Sequence, residues 1–254
     1  MKCCVALNPA TSRRTEMGVA PYRLASGMHV CASAEGAVLL DLVRDEYIGF
    51  SPEQSLALSA VVEDWPQILH AMPDGYRPEE SAEVANEAFQ NGLLVQNDGP
   101  RAPDSVVPLT HLARPEVTAE LIMVGEMRWA HVRPAHVAVF LVAVITVLPL
   151  LAFSGLPGAV ARASRKRRAS SARNVRELIS SYYHLRMFFY APKGRCLFDS
   201  VVLLEFLRYF GVTPRWIIGV QVRPFAAHSW LQMGESVLNG TAEYVRAYQQ
   251  ILVV

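Results

Sequence analysis

The sequence lacks the spaced cysteines, the charge excess and the N-terminal signal that mark three common classes of protein. Its four cysteines are Cys3, Cys4, Cys31 and Cys196. They form no C-x-x-C pair and no His–Cys cluster, which disfavours both a zinc site and a disulfide framework. The formal net charge is only +1, so no overall field attracts nucleic acid. Asn8-Pro9 interrupts the first apolar residues before a secretory signal could form. These absences favour a cytoplasmic protein whose thiols stay reduced.

The 254 residues are enough for one large or two small domains with a sizeable apolar core. Residues 1–20 carry no clear pattern, and we expect them to be unstructured or to precede the true start. Patterned sequence fills residues 21–97 and 119–254. The segment between them, residues 98–118, is rich in proline among polar residues, which is typical of a linker. The sequence therefore predicts two domains.

The first unit combines short strands with two helices. Residues 37–42 and 47–50 have the composition of strands. Ser51-Pro52 then predicts a helix start, with serine as the N-cap and proline at the first helical position. A second helix is expected over residues 81–91, followed by a short strand at 93–95. Strands followed by helices predict a small α+β unit of winged-helix type.

An apolar run from residue 135 to 153 leaves three alternatives open. It approaches the length of a membrane span, and the basic residues 165–168 follow it as a cytoplasmic anchor would. However, Pro149 interrupts the run, and His136 and Thr146 dilute it. The alternatives are a buried helix of the second domain, a span, and a surface-attached hairpin.

The second unit contains a cysteine and a histidine in an arrangement that suggests catalysis. An amphipathic helix is expected over residues 174–190, and a second one over 196–211, ending at Gly211. Strands are expected at 216–222 and 226–233, and a turn at Gly234-Glu235 leads into 236–239. Cys196 would open the second helix, and His228, thirty-two residues later, would lie on a strand.

These two residues form a candidate nucleophile and base. At a helix start, the unpaired N–H groups and the helix dipole favour a thiolate. The N–H of Cys196 could also donate to the oxygen of an attacked carbonyl. A histidine brought next to such a thiol can take up its proton. The competing interpretations are a buried structural cysteine and an ordinary polar histidine.

The chain resembles the fused B proteins of lasso peptide biosynthesis. The resemblance is strongest in Gly194-Arg-Cys-Leu, Ile218-Gly-Val, Phe225-Ala-Ala-His-Ser-Trp and Val237-Leu-Asn. The second unit resembles their transglutaminase-like, papain-like cysteine peptidase. The first unit resembles their leader-recognition domain, chiefly in residues 37–42 and 47–50.

This resemblance implies a function and a set of partners. Such proteins bind the leader of a ribosomally made lasso precursor peptide and hydrolyse the leader–core bond. A partner cyclase of the asparagine-synthetase type then closes the macrolactam. Cys196 would be the nucleophile and His228 the base. No metal or cofactor is implied, and ATP enters only through the cyclase.

The third catalytic residue departs from the family pattern. The family ends Val-Leu-Asn-Asp, and its aspartate orients the histidine, whereas this chain has Gly240 at that position. Asn239 is the substitute we consider, by analogy with Cys-His-Asn enzymes. A tight turn at Gly234-Glu235 would put Asn239 on the His228 face, and a longer turn would put Gly240 there. If neither residue serves, the protein is instead a catalytically degenerate scaffold that delivers precursor to the cyclase.

The first unit would hold the leader by adding it as a strand to an exposed sheet edge. The residues expected to do this are Tyr47, Ile48, Gly49 and Phe50 on the strand, and Ala85, Ala88 and Phe89 on the second helix. A DNA-binding role is disfavoured, because the expected second helix contains several acids and no lysine or arginine. Peripheral membrane contact through residues 135–168 is the remaining partner that the sequence suggests.

Overall fold

The computed structural model describes residues 21–67, 78–97, 119–120, 132–165, 175–191 and 194–254. The predicted N-terminal segment 1–20, the linker 98–118 and most of the basic run 165–168 lie outside these residues. The elements before the linker are β1 (Tyr22–Leu24), β2 (Met28–Ser33), β3 (Gly36–Asp41), β4 (Glu46–Phe50), α1 (Pro52–Val61), α2 (Pro78–Gln90) and β5 (Leu94–Gln96).

The first unit contains an antiparallel sheet of order β2-β3-β4 and a small sheet of β1 and β5. The predicted start of α1 is confirmed. Ser51 accepts a hydrogen bond from the Gln54 backbone N–H at 3.2 Å, and Gln54 accepts one from the Ser51 N–H at 2.9 Å. This reciprocal capping, with Pro52 at the first helical position, fixes the exit of the chain from β4. The unit is mixed α and β, and its winged-helix type stays a prediction.

Strand β3 is buried on both faces because two apolar clusters meet on it. Ala37 and Leu39 pack with α1, α2 and Trp65. Val38 and Leu40, together with Cys31 of β2, belong to the large cluster that includes the helices of the second unit. The two units therefore share a core, to which β3 contributes most and β2 contributes Cys31.

The second unit is a five-stranded sheet with helices packed against it. Its strand order is β10-β7-β8-β9-β6, with β6 parallel to β9 and the other pairs antiparallel. Its elements are β6 (Ala119–Glu120), α3 (Pro134–Ala163), α4 (Val175–Phe189), α5 (Cys196–Tyr209), β7 (Arg215–Gln221), β8 (Ala226–Met233), β9 (Ser236–Val237), α6 (Ala242–Arg246) and β10 (Gln249–Val253).

Helix α5 is the central helix of the second unit, and all its residues from Asp199 to Arg208 are buried. It packs on α3, on α4 and on β8. A buried ion pair joins it to α3, with Arg162 Nη2 2.8 Å from Glu205 Oε2. The helix ends where Gly211 takes a φ of 79°, as predicted. This packing holds the N-terminus of α5, and hence Cys196, in a fixed position.

Helix α3 contains the apolar run, and it is buried on one face only. His136, Val139, Phe140, Ala143 and Val147 are buried. The opposite face exposes Val142, Ile145, Leu148 and Phe153. Among the described residues, α3 is a helix that is long enough and apolar enough to cross a membrane. Its most apolar 18-residue window has a mean hydropathy of 2.7, and 22% of that window is buried. The expectation of a buried helix therefore holds for one face of α3 only.

The break in α3 lies at Gly155, not at Pro149. Pro149 is inside the helix, whereas Gly155 has non-helical angles, φ 54° and ψ −152°. The N–H of Leu156, which follows the break, donates to Asp45 Oδ2 at 3.1 Å. Asp45 belongs to the β3–β4 turn, so the first unit caps the second half of this helix.

Candidate active site

Cys196 is the first residue of α5, as predicted. It follows Gly194, whose φ of 73° turns the chain into the helix, and Arg195, the N-cap residue. The thiol is half-buried and forms no disulfide. At this position the backbone N–H has no partner within the helix itself. The nucleophile candidate therefore lies where a carbonyl could meet both a thiol and a backbone donor.

His228 lies on β8, half-buried among aromatic rings. Its ring stacks on Trp230 at 6.0 Å and contacts Tyr244 at 4.9 Å and Tyr248 at 5.3 Å. Its Nε2 is buried, and no hydrogen-bond partner for it occurs among the residues that the structure describes. Burial lowers the pKa of His228, and the charge of Asp199 partly opposes this shift. A neutral imidazole with an unoccupied nitrogen can accept a proton.

Cys196 and His228 share the same surroundings without being hydrogen-bonded in the described structure. Burial and the hydrogen bond with Tyr244 raise the pKa of Tyr248 to about 12, and the charge of Cys196 adds to this shift. The same Tyr248 ring packs on His228. Asp199, one turn after Cys196, lies close enough to act on the imidazole. A small approach of the two side chains, of the kind that substrate binding often causes, would complete the pair.

Asp199 is a buried carboxylate that the sequence analysis did not single out. Oδ1 accepts hydrogen bonds from Tyr182 at 2.9 Å and Tyr190 at 3.0 Å. Oδ2 accepts one from Arg186 at 3.0 Å. Burial acts to lower the pKa of Arg186, but the carboxylate raises it and the net shift is upward. The network ties the first turn of α5 to α4 and holds a negative charge near His228.

Asn239 does not orient His228 in this structure. Its Oδ1 accepts from the Leu231 N–H at 2.7 Å, and its Nδ2 donates to Ser200 Oγ at 2.9 Å. Ser200 is on α5 and donates in turn to the Ser229 carbonyl. The tight turn that we considered is present, with Met233 opposite Ser236. However, β9 ends at Val237, and the Asn239 side chain turns to α5. Its catalytic role stays a prediction, and these contacts favour a structural one.

Gly240 lies on the other side of this segment. A Cβ added there would meet Val237 at 3.7 Å and Val245 at 3.8 Å, which are ordinary contacts. Val237 and Val245 belong to the small cluster that includes Trp230, the neighbour of His228. The position that carries aspartate in the family pattern could therefore accept a side chain without displacing its neighbours.

The strand expected to bind a peptide, β4, forms an edge of its sheet. Tyr47 and Gly49 face the second unit, where Tyr47 packs on Phe225 at 5.6 Å. Ile48 and Phe50 pack in the cluster of the first unit, with Phe50 against Trp65. Burial raises the pKa of Tyr47 to about 12, and the charges of Asp45 and Cys196 contribute. The N-terminal end of β4 is therefore close to the candidate nucleophile.

The expectation for α2 needs a correction. Ala85 and Ala88 are buried in the first unit's cluster, so they support the helix and present no surface to a peptide. Phe89 is 37% exposed and packs on Tyr22 at 5.7 Å. The helix packs on α1 and β5. Of the three residues, Phe89 has a side chain that a ligand could contact.

The residues that the sequence analysis missed are polar groups brought together by helix packing: Tyr182, Arg186, Tyr190, Asp199, Tyr244 and Tyr248. Asp199 could have been noticed from its place one turn after Cys196. Within the described part of the chain, no group of three or more His, Cys, Asp or Glu side chains could hold a metal ion.

Comparison with known proteins finds similarity over parts of this chain. Residues 138–253 match a family model described as the transglutaminase-like superfamily, and this segment contains Cys196, His228 and Gly240. The microcin J25-processing protein of Escherichia coli is 34% identical over 61 residues. That match spans 24% of this chain and 27% of the relative, so the chain covers about a quarter of that protein. No solved structure matches.

Both catalytic candidates and the central helix thus lie in the segment that matches the family model. Residues 138–253 are similar to the transglutaminase-like superfamily, and a shorter stretch of the chain is similar to the microcin J25-processing protein.

Proposed function

We propose that this protein is a cysteine peptidase that binds the leader of a ribosomally made lasso precursor and hydrolyses the leader–core bond. The observation that carries the proposal is the arrangement at α5. Cys196 begins the central helix, and this helix packs on β8, the strand that carries His228 with its unoccupied Nε2. The transglutaminase-like family match covers both residues.

The residues present can carry out the reaction in two steps. His228 accepts the Cys196 thiol proton while Sγ attacks the carbonyl carbon of the last leader residue. The resulting oxyanion lies near the N-terminal N–H groups of α5. The C–N bond then breaks, and imidazolium gives its proton to the leaving amine of the core peptide. Water, deprotonated by His228, attacks the thioester carbonyl and releases the leader acid, and the proton returns to the thiol.

The first unit would raise the concentration of the scissile bond at Cys196 by holding the leader. The edge of β4 offers main-chain hydrogen bonds to an extended peptide, and Tyr47, near the Glu46 end of this strand, is within electrostatic reach of Cys196. The released core would pass to a partner cyclase of the asparagine-synthetase type, which uses ATP for ring closure. The peptidase residues named above require no cofactor for hydrolysis.

The second candidate function is that of a catalytically degenerate scaffold that binds the leader. It is supported by the surroundings of His228, where the residue expected to orient the imidazole is missing. Gly240 provides no carboxylate, and Asn239 is held by Leu231 and Ser200. Loss of the residue that orients the histidine can lower kcat by about 10⁴-fold. A protein with that defect could still bind a leader and deliver precursor to the cyclase.

The experiment is mass spectrometry of the precursor peptide encoded beside the gene, after incubation with the protein, with and without the cyclase and ATP. We expect cleavage at one bond by the unmodified protein and none by Cys196→Ala, while both bind the leader with the same Kd. Cys31→Ala is the matched control, because Cys31 lies in the shared core away from the site. Cleavage by Cys196→Ala would rule out the mechanism.

The variant Gly240→Asp separates the two candidates. A Cβ at this exposed position makes only ordinary contacts, so we expect the variant to fold. Faster cleavage by Gly240→Asp than by the unmodified protein would mean that the machinery is intact and lacks only its orienting group. Leader binding without cleavage in every variant, even with cyclase and ATP present, would establish the scaffold.

We also propose that α3 makes a peripheral contact with a membrane. Its exposed face carries Val142, Ile145, Leu148 and Phe153. The sequence has no charged residue between Arg133 and Arg162, and basic residues follow at 165–168. An apolar face next to cationic residues is typical of surfaces that bind anionic lipid. The catalytic candidates do not depend on this contact.

A further inference from the structure

A cavity lies between the sheet of the first unit and the turn that joins β7 to β8. Its volume is about 370 Å³, within the range of roughly 300–1,000 Å³ found for pockets that hold small ligands. The sheet contributes Val38, Tyr47 and Gly49 to its wall, and the turn contributes Val222, Arg223 and Phe225. It is therefore a joint feature of the two units.

Gly49 of β4 leaves open space in the wall of this cavity. Tyr47 and Gly49 alternate onto the same face of the strand, and Val38 is the cross-strand partner of Gly49. Phe225 closes on Tyr47 at 5.6 Å. A Cβ added at Gly49 would meet no atom within 4 Å.

The backbone does not require glycine at this position either. Gly49 is not among the glycines with positive φ, and it lies within a regular strand. Glycine in a strand interior is unfavourable for the fold and often marks the close approach of a ligand or another backbone. The empty space over Gly49 is thus not explained by packing or by backbone geometry.

The direction of β4 relates this space to Cys196. A peptide added antiparallel to the free edge of β4 would run from Phe50 towards Glu46. It would approach Cys196 at its carboxyl end, because Tyr47 lies at the Glu46 end of the strand and is within electrostatic reach of the thiol. The peptide residue opposite Gly49 would direct its side chain to the face of Tyr47 and Gly49.

We infer that the cavity is a specificity subsite for one uncharged apolar or aromatic side chain of the leader, seated over Gly49 next to Tyr47 and Phe225. Aromatic side chains pair well across a strand from glycine and with other rings. Glu35 and Arg223 line the same cavity with opposite charges, so it offers no net charge to a charged side chain. This inference rests on the proposed function, since it needs a peptide that reaches Cys196.

The first test is Gly49→Leu, with Gly49→Ala as the matched control. Leucine fills the cavity, whereas alanine adds one methyl group in open space, and both should melt at the temperature of the unmodified protein. We expect Gly49→Leu to raise KM for the neighbouring gene's precursor by at least about tenfold, which is about 1.4 kcal/mol of lost binding. Its kcat should stay within about twofold, because no catalytic group changes. An unchanged KM would overturn the subsite.

A complementary pair of substitutions identifies the side chain that occupies the cavity. Each leader residue is replaced in turn by alanine, and each peptide is assayed with the Gly49→Leu variant. One truncated leader should be cleaved better than the natural one by the variant and worse by the unmodified protein. Adding Phe225→Ala to Gly49→Leu should enlarge the cavity again and so lower KM part of the way back to the value of the unmodified protein. Uniform losses with every peptide would contradict the inference.

Failure of the subsite and failure of the proposed function have different signatures. If the unmodified protein binds a fluorescein-labelled leader but cleaves nothing, the Kd of the leader is measured in place of KM. The subsite then requires that one truncated leader bind Gly49→Leu more tightly than the natural leader does, and bind the unmodified protein less tightly. If the unmodified protein neither binds nor cleaves the precursor, both ideas are overturned. If cleavage is normal and insensitive to Gly49→Leu, the subsite alone is wrong.

Discussion

At the scale of single residues, Asp199 ties the cysteine helix to α4 and places a negative charge within reach of His228. The carboxylate is buried, accepts three side-chain hydrogen bonds from α4 and the residue following it, and acts on the His228 imidazole. In a chain with glycine at the family's aspartate position, it is the negative charge that the described structure places near His228. We therefore regard it as a positioning residue for the imidazole.

The Asp199→Asn variant should move the acid limb of the kcat/KM profile to lower pH. The charge of Asp199 raises the pKa of His228 against the effect of burial. Without that charge the pKa falls further, and the neutral base persists to lower pH. Kinetics over a pH series measure the shift, with Tyr190→Phe as a control that keeps the charge and removes one hydrogen bond. An unmoved acid limb would show that Asp199 only supports the fold.

The sequence predicts the positions of the two catalytic candidates better than those of the residues around them. Cys196 at a helix start and His228 on a strand follow from local pattern, since each is visible within a few neighbours. The role of Asn239 depends on where β9 ends and on whether its side-chain amide points to His228 or to Ser200 of α5. The partners of Asp199 come chiefly from α4. Residue spacing within one helix does not predict how that helix packs on another, so these contacts could not be predicted.

At the scale of elements, helix α3 has an outer face that the rest of the described chain leaves uncovered. Val142, Ile145 and Leu148 recur every three residues along it, and Phe153 is 89% exposed. The inner face holds the helix to α4 and α5. Periodicity detects a helix here, but an all-apolar sequence cannot reveal which face is buried, and only the tertiary packing separates the two.

Replacing Val142, Ile145 and Leu148 together by serine should reduce binding to anionic phospholipid vesicles by at least about fivefold. Three apolar side chains that would enter the lipid interface are lost, while the basic residues remain. Vesicle co-sedimentation measures the effect, and Val43→Ser, at an exposed site of the first unit, is the control. Equal binding by both variants would show that α3 does not face the lipid. Peptide cleavage should be unaffected in either case.

In the first unit, the sequence predicts β3, β4, β5 and both helices with small errors at their ends, whereas it does not predict β1 or β2. Ser51-Pro52 and the apolar runs before it define β3, β4 and α1 because capping and alternation are local signals. The pairing of β1 with β5 was not foreseen, since it joins residues about seventy positions apart. The burial of Ala85 and Ala88 was also missed, because small residues fit equally well in a groove and in a core.

At the scale of the whole molecule, β3 belongs to two cores. Its alternate side chains enter the first unit's cluster and the large cluster of the transglutaminase-like domain. Asp45, at the end of the following turn, caps α3 beyond Gly155. Neither unit buries its apolar surface completely without the other.

Leu40→Ala should lower the free energy of unfolding by about 2–5 kcal/mol, the usual cost of a truncated core leucine. Because Leu40 is fully buried between the units, both should unfold together in one transition at a lower temperature. Differential scanning calorimetry with near-ultraviolet circular dichroism measures this. Phe153→Ala, at a surface position, should change little. Two separate transitions in the unmodified protein would contradict a shared core.

The double burial of β3 also limits how such a protein can change its client peptide. Exchange of residues 21–97 for another recognition unit would bring in a different edge strand for the proposed peptide, but it would also replace Cys31, Val38 and Leu40, which pack in the core of the second unit. New preferences are therefore easier to acquire by single changes, such as at Gly49 on β4 or at Phe225 in the β7–β8 turn, than by exchange of the whole unit. In such a protein, residues 21–97 contribute both to the proposed choice of peptide and to the packing of the second unit, so the two properties change together when this unit is exchanged.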